Sequence, residues 1–214
     1  MKILLVNKYL YRKGGAETYF IKLGEYLKSL GNEVEYFGMA DERNCVGNRV
    51  EAYTENIDFH KKSLKHITYP FKIIYSVNAR KQIRKVLSDF KPDVVHLNNF
   101  TPSIIYEIKK HNIPIVYTAH DVQLVCPNHK LKNDYTDGLC RKCDGGKYFE
   151  CVKNNCVHSS KIRSILGAVE AWYYKLRHTY KMIDLTVCPS EFMEKEISRN
   201  DDINGRTVTM LLTR

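Results

Sequence analysis

The chain has no long apolar leader. Its amino terminus, Met1-Lys2-Ile3-Leu4-Leu5-Val6-Asn7, offers four consecutive apolar residues before it turns polar. That is far short of a signal-peptide core or a membrane span, and it places the protein in the cytoplasm. Neither an internal repeat nor a low-complexity tract is present. The glycine pattern GxGxxG of dinucleotide binders is absent, as is the GK[ST] ending of a P-loop, so neither reading is supported. Acidic side chains are in deficit: 24 Asp and Glu against 34 Lys and Arg leave a formal charge of +10. This excess favours an anionic partner, whether phosphates, nucleic acid or an anionic lipid surface, and an ordinary solvated basic face accounts for it equally well.

Against these absences stands enough apolar material for a sizeable core, since 43% of the 214 residues are hydrophobic, with 15 Tyr and 8 Phe. A charged fraction of 27% is that of a globular protein. Short aliphatic runs, Lys2–Val6, Val34–Gly38, Pro92–Leu97, Pro114–Ala119 and Asp184–Pro189, alternate with longer segments of helical period. That alternation predicts an α/β fold, a Rossmann-like parallel sheet with helices on both faces. Between the first two runs, Phe20, Leu23, Leu27 and Leu30 recur at helical spacing, and Gly31 follows as a stop. Further helices are expected over Tyr69–Phe90, from Pro102 to His111 and over Lys161–Ile183, and Ser190-Glu191 has the form of an N-cap followed by a first-turn carboxylate. The expected organisation is one domain over residues 1–200, with an insertion at 126–160.

The insertion is rich in Asn, Lys, Gly, Asp and Cys and lacks apolar periodicity, so it reads as a loop that something other than its own packing must order. It holds Cys126, Cys140, Cys143, Cys151 and Cys156, with 13, 2, 7 and 4 residues between successive members. In a reducing compartment such a cluster is read first as a set of metal ligands. The Cys140-x2-Cys143 pair is the usual knuckle of structural zinc, and two further thiolates complete a tetrahedron. An iron–sulfur cluster is the runner-up, and free thiols or disulfides formed on oxidation are the alternative. Cys45 and Cys188 read as ordinary buried thiols.

Polar residues recur where open α/β sheets place ligands, at the carboxyl ends of the strands. Lys13-Gly14-Gly15-Ala16-Glu17 follows the first strand and opens the first helix, where glycines admit a ligand to the backbone and helix N–H groups attract phosphate. His96 ends the Val94-Val95-His96 run, with Asn98 beyond it; His120-Asp121 ends the next, and Ser190-Glu191 the last.

The order of these motifs, Gly14-Gly15-Ala16-Glu17, Val95-His96, Ala119-His120-Asp121 and Pro189-Ser190-Glu191-Phe192-Met193, resembles the amino-terminal lobe of family 4 retaining glycosyltransferases of the GT-B fold. The resemblance runs from Met1 to about Glu196. It implies an acceptor-side lobe in which Gly14 and Gly15 reach the diphosphate of a nucleotide-sugar donor. His120 then lies beside the transferred sugar, and His96 and Asp121 shape the pocket; Glu17, Asn98, Ser190 and Glu191 join the substrate-binding set. Helix termini and basic side chains replace a catalytic metal. It also implies a second lobe with glutamates spaced E-x7-E. Glu17 and Glu25 have that spacing but fall on the first helix of the wrong lobe, a coincidence, and residues 201–214 resemble the start of the donor lobe. The expected activity is hexosyl transfer to a glycan or lipid-linked acceptor in cell-surface polysaccharide synthesis, with this lobe inactive alone.

The stretch His60-Lys61-Lys62-Ser63-Leu64-Lys65-His66, followed by Tyr69, Phe71, Ile74 and Tyr75, suits peripheral association with a membrane surface, and a solvated basic face beside a core helix suits it too. A different class of protein is a basic module, with a zinc ribbon in the cysteine loop, that binds nucleic acid or another polyanion. Against it, no RNA- or DNA-binding motif appears, and aromatic residues do not interleave with Arg and Lys on the cysteine loop.

Overall fold

In the computed structural model, which describes residues 1–55, 76–100, 102–133, 138–203 and 205–210, the first aliphatic run is strand β1 (Lys2–Val6). Strands β2 (Glu33–Phe37), β3 (Val94–Leu97) and β4 (Ile115–Thr118) follow within residues 1–118, one of two compact units into which the chain divides. Their order is β2-β1-β3-β4 and every pair is parallel. The aliphatic content of β1 follows from this central place: Leu4 and Leu5 are fully buried, as strands covered on both faces require.

Helix α1 (Gly15–Ser29) buries Phe20 and Ile21 against Leu5, Val34 and Tyr36, and Leu23 and Leu27 pack on the same cluster. Leu30, expected on that face, is the C-cap and lies exposed. Gly31 follows it with φ +81°, the left-handed conformation that stops the helix. Gly24 lets the helix approach the sheet, because a Cβ there would lie 2.2 Å from the Tyr36 hydroxyl.

Helix α2 (Val77–Phe90) begins at Ser76, whose hydroxyl accepts the Ala79 N–H at 3.2 Å, and it buries Ile83, Val86, Leu87 and Phe90. The expected start at Tyr69 lies outside the described residues, as does the basic-aromatic stretch His60–Tyr75. A 3-10 turn (Pro102–Ile104) leads into α3 (Ile105–Lys110). Its Glu107 is almost fully buried and accepts hydrogen bonds from Arg80 and Arg84 of α2 and from Lys110. Burial pushes the Glu107 carboxyl up, but the Arg80, Lys110 and Arg84 hydrogen bonds outweigh it and hold the group below the usual range.

The second unit, residues 119–214, carries α4 (Phe149–Lys153), α5 (Lys161–Leu176), β5 (Leu185–Cys188), α6 (Glu191–Ile197) and β6 (Thr207–Thr209). Strands β5 and β6 pair in parallel, with Val187 opposite Val208. Helix α5 is shorter than the expected Lys161–Ile183. It ends where His178 turns left-handed at φ 46° and its ring bonds Asp202 at 2.8 Å, and Thr179–Met182 continues as a 3-10 turn.

The cysteine-rich segment is not the unanchored loop its composition suggests. It contains α4, which packs on α5. Val122, Val125, Cys126 and Leu131 form a small apolar cluster with Met193. Arg141 reaches the fully buried Glu196 of α6, its Nε bonding Oε2 at 3.1 Å, and Asp144 pairs with Arg199. The Trp172 indole N–H donates to the Gly146 carbonyl at 3.0 Å. Ion pairs spaced far apart in sequence leave no periodic signature, which is why composition alone missed them.

Candidate functional site

In the first unit the carboxyl ends of β1 and β3 are joined by Asn7, a buried side chain immediately after β1. Its Oδ1 accepts the Asn99 N–H at 3.0 Å and its Nδ2 donates to the Tyr9 carbonyl at 2.7 Å, so one amide fixes the start of both strand-end loops. Gly38 completes this corner, since a Cβ there would lie 2.3 Å from the Asn7 carbonyl oxygen. Sequence reasoning noted Asn7 only as the end of the apolar run. The available signal was its type: a short amide directly after a buried strand.

Gly14 is the N-cap of α1 in extended conformation, and no side chain caps the helix start. Both Gly14 and Gly15 are exposed, and the Glu17 carboxylate comes within 3.3 Å of where a Gly14 Cβ would stand. The loop that delivers this turn is basic. Lys13 sits 3.7 Å from the centre of the Tyr9 ring and Lys8 5.3 Å from it. Burial alone would raise the Tyr9 hydroxyl, yet Lys13 and Lys8 hold it below its ordinary value. The result is an open helix start flanked by cations, which is chemistry for an anion.

His96 lies within β3, one residue before its end, and its Nε2 is 2.7 Å from Oγ1 of the buried Thr118 on β4. Asn98 is buried, and its backbone N–H donates to the Val6 carbonyl at 2.9 Å.

In the second unit Ala119 N–H bonds the Val187 carbonyl of β5 at 2.9 Å, and His120-Asp121 follow, both half-buried. Asp121 Oδ1 accepts the Gln123 N–H at 2.9 Å, and its Oδ2 is 3.3 Å from Nδ1 of His129. Glu170 of α5 is held above the usual carboxylate range by burial, with His129 pulling the other way. His129 and Glu170 were not singled out from sequence. Through His129, which pairs with Asp121, this raised carboxyl is coupled electrostatically to the His-Asp motif. The Ser190 hydroxyl is committed as the cap of α6, accepting the Met193 N–H at 3.2 Å, and Glu191 is exposed in the first turn.

All five clustered cysteines line one cleft, together with Val125, Pro127 and Leu131. Burial first, and then the neighbouring thiols, push Cys143 up to about 12 and raise Cys151; burial raises Cys156 too, with Cys151 pulling the other way. Cys188 is buried as expected, whereas Cys45 is exposed, contrary to the reading of it as a buried thiol. Among the described residues no helix is long and apolar enough to cross a membrane.

A four-strand parallel core with polar groups at the strand ends is the plan of one lobe of a GT-B transferase, and the comparisons with known structures agree. Sucrose-phosphate synthase from Thermosynechococcus elongatus superposes with a TM-score of 0.56 at 13% identity, over 97% of this chain and 47% of that one. Medicago truncatula UGT71G1 complexed with UDP-glucose gives 0.55 at 9% identity, over 99% and 51%. The sequence profile of Glycosyltransferase Family 4 matches residues 13–211, and the chain belongs to that family. An uncharacterized 42.6 kDa protein in the cps region of Klebsiella pneumoniae is 29% identical over 147 residues, which cover 61% of this chain and 39% of that protein. The chain thus spans about two fifths of the curated relative it matches.

Proposed function

We propose that this chain is the acceptor-side lobe of a retaining hexosyltransferase that moves a sugar from a nucleotide-sugar donor to a glycan or lipid-linked acceptor in cell-surface polysaccharide synthesis. The observation that carries the reading is the uncapped, glycine start of α1 after β1, directly preceded by Lys13, in a chain of this family. Gly14 and Gly15 offer backbone N–H groups to the donor's diphosphate, and Glu17 orders the turn. In the first unit His96 and Asn98 belong to the substrate-binding set; in the second, His120 stands beside the transferred sugar, with Asp121, Ser190 and Glu191 in the binding set. Charge that develops on the leaving diphosphate is met by helix dipole and lysines, so no catalytic metal is required. The cps-region relative and the UDP-glucose named for Medicago truncatula UGT71G1 support the acceptor class and the donor class.

The lobe works at the inner face of the membrane in this reading. Ile162, Ile165, Val169, Trp172 and Leu176 of α5 are exposed at spacings of three and four residues, an apolar stripe bracketed by Lys161, Arg163, Lys175 and Arg177. Such a helix face suits an anionic lipid surface, where a lipid-linked acceptor resides.

The test is His120→Ala in a form of the protein that carries a donor lobe after this chain. A fall in kcat of about 100-fold with an unchanged melting temperature supports the assignment, whereas wild-type kcat in the folded variant overturns it. The 214-residue chain alone is expected to show little or no turnover of sugar nucleotides.

A further inference from the structure

The transferase reading uses none of the clustered cysteines, although the fold brings all five to one cleft. We propose that this cleft is a structural zinc site, with Cys140 and Cys143 as two ligands and two of Cys126, Cys151 and Cys156 as the others. Among the described residues no three His, Cys, Asp or Glu side chains are already gathered as a metal site. The thiols are not turned to a common centre: Cys126 donates to Asn128 Oδ1 at 2.9 Å. Ligation requires rotation of these side chains, and one rotamer step swings a cysteine sulfur by roughly 3 Å. Sulfurs 2.3 Å from zinc stand about 3.8 Å apart in a tetrahedron.

The backbone is built for the knuckle. Cys140 N–H donates to the Leu131 carbonyl at 2.7 Å, and Gly146 N–H to the Cys143 carbonyl at 3.1 Å. Gly145 and Gly146, two and three residues after the second cysteine, take φ +68° and +91°, left-handed conformations that form a tight turn there. One donor aims at a knuckle sulfur itself: the Asn133 amide reaches Cys140 Sγ at 3.2 Å. A donor of this kind orients a metal ligand. Arg141 and Asp144, within and just after the knuckle, tie it to Glu196 and Arg199. Asn128 links both ends of the segment, donating to the Lys132 carbonyl at 2.6 Å and the Cys156 carbonyl at 3.5 Å. Four thiolates leave no open position on the ion, so its role is to hold the segment that follows His120-Asp121.

The experiment is elemental analysis of the chain purified without chelator, with thiol counting before and after a chelator and Co²⁺ substitution read by absorption. About one zinc per chain, cluster thiols that react only after chelation, and the thiolate-to-cobalt bands of a tetrahedral site are expected. Cys143→Ser should lose the metal and Cys45→Ser keep it. Should Cys143→Ser fail to fold, zinc release from the wild-type chain by chelator, matched by newly reactive thiols, is the supporting result in its place. Protein without zinc from zinc-replete cells overturns the proposal, whether its five thiols react freely or Cys151 and Cys156 are found as a disulfide. Stoichiometric iron overturns it as well. None of these readouts involves donor or acceptor, so the site stands or falls apart from the transferase reading.

Discussion

Replacing Asn7 by alanine removes one side chain that holds two loops. The amide donates to the Tyr9 carbonyl at 2.7 Å and accepts from the Asn99 N–H at 3.0 Å, and it is itself 1% exposed. Each intramolecular hydrogen bond contributes about 1 kcal/mol net, and a buried partner left unsatisfied costs about 1–3 kcal/mol more. Tyr9 and Asn99 are only half-buried, so water recovers part of that cost. The expected loss is therefore about 2–3 kcal/mol. Asn7→Asp is the informative companion: it keeps the acceptor for Asn99 but sets an oxygen against the Tyr9 carbonyl, so it should also destabilise. Urea unfolding of the three proteins measures the differences, with an unchanged m-value showing that the unfolded states are comparable. A loss below about 0.5 kcal/mol for Asn7→Ala would refute the claim that this amide holds the strand-end corner.

Glu107→Gln should cost about 3 kcal/mol at neutral pH, because it leaves the mostly buried Arg80 without its counter-charge. The folded carboxyl sits below its unfolded value of about 4.3, so its contribution is complete above that pH and is lost as pH falls through the lower folded value. Unfolding curves of variant and wild type should thus converge in acid, and a gap that widens there would contradict the pairing. Gly24→Ala forces a methyl against the buried Tyr36 ring and should destabilise by about 1–2 kcal/mol in the same assay, despite the better helix propensity of alanine. For the α5 stripe, wild type is expected to co-sediment with phosphatidylglycerol vesicles at low salt, and Ile162→Glu with Leu176→Glu should abolish this; equal binding by both proteins, or none by wild type, would rule the stripe out.

The strands were legible because a parallel sheet buries them on both faces, which leaves aliphatic runs; Lys2–Val6 matches β1 residue for residue. Helix starts set by side-chain caps were also legible, as at Ser190. What escaped was non-local. The Arg141–Glu196 pair and the Asn7 clamp join residues 55 and 92 positions apart, and neither periodicity nor spacing encodes such a pairing. Cys45 was misread because a lone thiol in the chain carries no mark of its exposure. In the candidate site the glycine turn and the His-Asp motif were visible as motifs, while Glu170, brought near His129 only by the fold, was not.

The measurement that bears most directly on the proposed activity is transfer of a radiolabelled hexose from nucleotide sugars to a lipid extract, by the protein carrying this chain together with a donor lobe. Label should enter the lipid fraction, and His120→Ala should lower that rate about 100-fold while the variant still melts at the wild-type temperature. Transfer at the wild-type rate by a folded His120→Ala variant would contradict the account.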